Sequence, residues 1–61
     1  MLMDFIALHI NGKEVLVNTK WIEMLFETSA GHCQIYACDQ GSFVVEETYE
    51  EVKSMIWRLY K

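Results

Sequence analysis

Asn11-Gly12 stands between two β-prone apolar runs. This dipeptide accepts positive φ at both central positions of a type I′ turn, whose twist suits a two-residue β-hairpin. The chain is therefore expected to open with strands at 5–10 and 13–18. Thr19-Lys20 make a corner. Residues 21–28 read two ways, because Trp21, Ile22, Leu25 and Phe26 fit a helical repeat as well as a bulged strand. Eight residues between a corner and the loop Ser29-Ala30-Gly31, with no cap beyond Thr19, favour a third strand. Residues 33–38 alternate Ile35 and Ala37 against Tyr36 and Cys38 as a fourth strand, Asp39-Gln40-Gly41-Ser42 make a turn, and 43–47 form a fifth strand.

The last segment is predicted to be a helix over 49–60. Thr48 followed three residues later by Glu51 is a capping box, in which hydroxyl and carboxylate each accept from an otherwise orphan amide. Val52, Met55, Ile56 and Leu59 then fall at i, i+3, i+4 and i+7, one apolar stripe. Glu50 and Glu51 in the first turn, and Arg58 and Lys61 near the end, agree with the helix dipole. The expected fold is a single α+β domain, mainly β: an antiparallel β-meander of five strands followed by one C-terminal amphipathic helix.

A chain of 61 residues has a marginal core, since a domain this short buries only about 60% of the surface its unfolded chain exposes. Small domains add disulfides, a metal or a partner. Cys33 and Cys38, read as one strand, lie about 17 Å apart on opposite faces, beyond the reach of a disulfide. His9, His32, Cys33 and Cys38 form neither a Cys-x-x-Cys pair nor a His pair at helical spacing. No metal site and no cofactor are expected, which leaves self-association.

The same screen gives no catalytic residue. Glu46, Glu47, Glu50 and Glu51 cap and solvate a helix without the central glycine of a calcium loop. His32 and Cys33, adjacent in a strand, point to opposite faces and share no proton. A net charge of −4 with only five Lys and Arg argues against a phosphate backbone as partner. No positive charge precedes the apolar run at 5–10, and that run is too short for a membrane span; the expectation is a cytoplasmic, non-enzymatic protein.

Candidates for contact with other chains do stand out. Val15, Leu16 and Val17 run in a row, and Phe5, Ile6, Ala7 and Leu8 are all apolar, so both hairpin faces ask for cover that one helix cannot supply. Either the strands curl into a small barrel or a second copy packs on outward positions such as Ile6, Leu8 and Leu16. Trp57 lies about 140° from Val52 on the helical wheel, outside the stripe, and with Trp21 is a candidate anchor.

Once these elements are placed, the order of landmarks resembles the small flagellar-operon proteins of the FlbD/SwrD-like family. The matching positions are Ile10-Asn11-Gly12, Asn18, Ile22-Glu23, Gly41, Val44-Val45, Glu47-Thr48 and Glu50-Glu51-Val52. The resemblance runs from Phe5 to about Ile56 and implies a non-enzymatic accessory of motility or motor output, with no cofactor and no active-site residue to carry over. The function expected is thus a protein-interaction module. The alternatives are a small nucleic-acid-binding regulator and a structural subunit of a phage or envelope assembly.

Overall fold

A computed structural model of the chain describes residues 4–39 and 41–60. It contains β1 (Phe5–Ile10), β2 (Lys13–Asn18), a 3₁₀ turn (Thr19–Trp21), β3 (Ile22–Glu27), β4 (His32–Ala37), β5 (Gly41–Thr48) and α1 (Tyr49–Leu59). The fold is α+β, five antiparallel strands followed by one C-terminal helix, as the sequence implies. The roles expected of Gln40 in the last turn and of Lys61 at the helix end lie outside the described residues.

The first hairpin turns as its sequence dictates, with φ of 52° at Asn11 and 80° at Gly12. Its register pairs Ile6 with Val17, Ala7 with Leu16 and Leu8 with Val15. Directly opposed residues share a face, so Ile6, Leu8, Val15 and Val17 turn one way and Ala7 and Leu16 the other. Ile6 and Leu8 are buried, Leu8 completely, while Leu16 is 56% exposed. This corrects the expectation that Ile6 and Leu8 share an outward face with Leu16: an even position on β1 pairs with an odd one on β2, and the apolar run on β2 hides which of its members is inside.

The meander is interrupted after β2, giving a two-stranded sheet β1-β2 and a three-stranded sheet in the order β3-β4-β5. The 3₁₀ turn makes the break. Asn18 caps it by accepting from the Lys20 amide, and buried Thr19 donates both its amide and its hydroxyl to the Asp4 carbonyl, at 2.6 and 2.8 Å. The corner is thereby fixed to the start of β1, which turns the chain away before β3 can pair with β2. Helix-like spacing at 19–21 and strand at 22–27 explain why the segment reads both ways.

A bulge explains the rest of that ambiguity. Ile22 pairs with Ala37 but Met24 with Tyr36, so two residues of β3 oppose one step of β4 and Glu23 is extra. The parity flips there, and Ile22 and Leu25, three apart, both face inward. A second irregularity lies between His32, paired with Thr48, and Cys33, paired with Val45.

The core consists of Ile6, Leu8, Cys33, Ile35, Val45 and Val52. The β1-β2 hairpin comes in beside β5, and α1 packs on β3, β4 and β5. Both therefore lie against the same, inner face of the three-stranded sheet. The capping box of α1 is complete in both directions, with Thr48 Oγ1 accepting from the Glu51 amide at 3.1 Å and Glu51 Oε1 accepting from the Thr48 amide at 2.9 Å. Val52 is fully buried and Met55 and Ile56 partly so, but Leu59, which the apolar stripe includes, is exposed. No helix among the described residues is long and apolar enough to cross a membrane.

Candidate interaction surface

The outer face of the β3-β4-β5 sheet is assembled by register. Met24 aligns with Tyr36 and then Ser42, and Phe26 with Gln34 and then Val44. Six side chains thus form two rows across three strands, none of them charged. Met24, Phe26 and Val44 are each close to half exposed. Phe26 and Tyr36 tilt against each other at 5.4 Å between ring centroids, an arrangement favoured by the ring quadrupoles. Gln34 Nε2 donates to Ser42 Oγ at 3.3 Å, which pairs two of the polar side chains of the patch. An exposed apolar patch held in register across three strands is a candidate for contact with another protein.

The positions singled out from sequence lie elsewhere. Leu16 and Trp21 are exposed, Trp21 at 52%, on an apolar groove of about 460 Å³ that Phe5, Val17, Ala37 and Phe43 also line. Trp57, 68% exposed, stands on the outward side of α1 in a shallow hollow with Lys53, Ser54 and Arg58. Ile6 and Leu8 belong to neither, being core. The sheet face with Met24 and Phe26 is the surface that sequence reasoning missed. Its signal was the alternation of Met24, Leu25 and Phe26, which becomes readable only when Glu23 is recognised as a bulge.

One polar cluster ties the hairpin to the sheet. The His9 amide donates to Glu47 Oε1 at 2.9 Å, and His9 Nδ1 lies 2.7 Å from Glu47 Oε2. The Gly12 amide donates to Glu46, and Glu14 faces His9 across the β1-β2 pair. The hydrogen bond to Glu47 holds the His9 pKa above its usual 6.5, against a smaller opposing effect of desolvation, and Glu14 and Glu46 add to the rise. Burial pushes the Glu47 carboxyl upward, but the hydrogen bonds from His9 outweigh it and leave the group below 4.5.

The two shifts define a pH window. A raised His pKa contributes stability that is complete below the unfolded value and lost as pH rises through the folded value; a lowered Glu pKa contributes stability present above the unfolded value and lost as pH falls through the folded one. The pair is therefore expected to stabilise the hairpin-sheet contact most between 4.5 and 6.5. In an NMR titration His9 should ionise above the ordinary histidine range, and Glu47→Gln should bring it back toward that range. An unchanged His9 midpoint in that variant would show that the carboxylate does not hold the proton.

The remaining reactive groups are quiet. Cys33 is buried, which pushes its thiol pKa up. Cys38 donates to Glu23 Oε2 at 3.7 Å, and that carboxylate, with burial and Asp39, also raises its pKa. Both thiols are held in the protonated, weakly nucleophilic form. Among the described residues no group of three or more His, Cys, Asp and Glu is placed to hold a metal ion. Comparison of the chain with protein-family models, curated proteins and solved structures finds no match.

Proposed function

We propose that this chain is a small non-enzymatic protein-interaction module that works by contact, first of all with its own copies, through the outer face of β3-β4-β5. The observation that carries the reading is the uncharged patch of Met24, Phe26, Tyr36 and Val44, set in register and left uncovered because helix and hairpin both pack on the opposite face. The small core adds to it, since a domain of this length gains stability from further burial. Thiols held protonated and carboxylates already engaged in caps and the His9 pair support contact over catalysis. The resemblance to the FlbD/SwrD-like family gives the module a setting in motility, in the cytoplasm; unaltered swimming after deletion of the gene from its motile source would remove that setting and leave the contact untouched.

Sedimentation equilibrium tests the contact. The unmodified chain should self-associate at tens of micromolar, and Phe26→Thr with Val44→Thr, which places a strand-favouring β-branched side chain at both positions, should remain folded and monomeric. A double variant that sediments like the unmodified protein would take this face out of the interface.

A further inference from the structure

The charges of this chain are segregated along the sequence. From Trp21 to Val52 there is no Lys or Arg, against seven acids: Glu23, Glu27, Asp39, Glu46, Glu47, Glu50 and Glu51. From Lys53 to the end there is no acid, against Lys53, Arg58 and Lys61. The first stretch contains all three strands of the outer face. Glu23 borders that face at one end, tied to Cys38, and Glu46, two residues beyond Val44 on β5 and accepting from the Gly12 amide, lies at the other. The second stretch carries Trp57, the most exposed large apolar side chain among the described residues.

We propose that the occupant of the outer sheet face is the second half of α1 from another copy of the chain, with Trp57 laid on Met24, Phe26 and Val44 and Arg58 set against the acidic border. The proposal rests on the reading of that face as the contact surface. Packing two outer faces against each other would bring two cation-free segments together, and like charges juxtaposed in an interface are costly. A head-to-tail arrangement opposes unlike charges instead. Arg58 makes no ion pair among the described residues, and Lys53 only a loose one, 3.9 Å to Glu50. Trp57 contributes nothing to its own core, which α1 reaches through Val52, Met55 and Ile56. Trp and Arg are the residue types that most often dominate protein interfaces.

The other occupants fit less well. Nucleic acid and anionic bilayers are repelled by the acidic segment, and the few cations near Trp57 fall short of the number that phosphate-backbone binding uses. The apolar stripe of α1 is engaged with the sheet, so the helix has no free apolar face to insert into lipid. A contact of surface with different surface is heterologous and propagates into chains or closes into rings.

Mixing two defective variants tests the arrangement. Phe26→Thr with Val44→Thr removes the face and leaves the helix; Trp57→Ser with Arg58→Glu removes the helix patch and leaves the face. Each alone should be monomeric in sedimentation velocity with unchanged circular dichroism, and an equimolar mixture should form a 1:1 dimer and nothing larger. Trp57→Ser alone should weaken association at least about thirtyfold, as loss of an interface anchor does, and raising the salt should weaken the unmodified contact.

If the helix variant associates like the unmodified chain while the face variant does not, the inference is overturned and the face stands as the contact. A mixture that stays monomeric overturns it as well. An unmodified chain that is monomeric at about 0.5 mM overturns both it and the self-contact. Binding of a basic peptide by that monomer, lost in the face variant, would then keep the face and assign it a foreign partner.

Discussion

Leu8→Ala is expected to leave the domain largely unfolded at 25 °C, whereas Leu16→Ala, eight positions along the same hairpin, should scarcely move its denaturant midpoint. Leu8 is fully buried in the cluster that joins the hairpin, the sheet and the helix. Truncating a buried leucine to alanine costs about 2–5 kcal/mol, from lost transfer energy and from the cavity left behind. A core of this size rarely supplies more than about 3–5 kcal/mol in total, so the loss is comparable to the whole stability. Leu16 is 56% exposed and loses little by truncation. Far-ultraviolet circular dichroism with urea titration reads both. A Leu8→Ala chain that melts like the unmodified one would mean that the hairpin does not pack as described.

Val52→Asp should abolish cooperative unfolding altogether. Val52 is the helix residue with no exposure, resting on the inner face of the sheet, and a carboxylate there has no partner. It must either ionise without solvent or take up a proton and still leave polar atoms unsatisfied, and each route destabilises by more than this domain holds in reserve. Ile56→Asp, one turn on and only partly buried, should damage the fold less, because its carboxylate can reach water. Thermal melts of the two variants side by side check the order. Equal melting temperatures would show that the helix packs through the middle of its stripe and not through its first turn.

The contrast between Val52 and Leu59 shows how far the sequence could be read. Periodicity placed Val52, Met55, Ile56 and Leu59 on one stripe, and the capping box located the helix start at Thr48, because both signals are local. How much of the stripe the sheet covers depends on where the strands end, which no helical wheel contains. The hairpin tells the same story. Asn11-Gly12 fixed the turn from two residues, but which face of β1 is inside depends on what packs there, and with every residue from Phe5 to Leu8 apolar the pattern could not decide. Ile6 and Leu8 are in fact the inward pair. The His9-Glu47 contact joins residues 38 positions apart and left no trace in spacing. The outer sheet face was hidden because its two rows run across strands whose alignment includes an extra residue.

That extra residue gives β3 one point at which its length can change without cost to its facing. Glu23 has no opposite number on β4, and it is what lets Ile22 and Leu25, three apart, both turn inward. Removing Glu23 leaves those two residues two apart, which in an unbulged strand is again a single face, so the deletion keeps both inside and straightens the strand. A residue added between Leu25 and Phe26, where the ladder is regular, has no such outlet and turns Phe26 off the outer face. In a set of related chains an alignment gap within β3 is therefore expected at Glu23 sooner than at any of the paired positions after it.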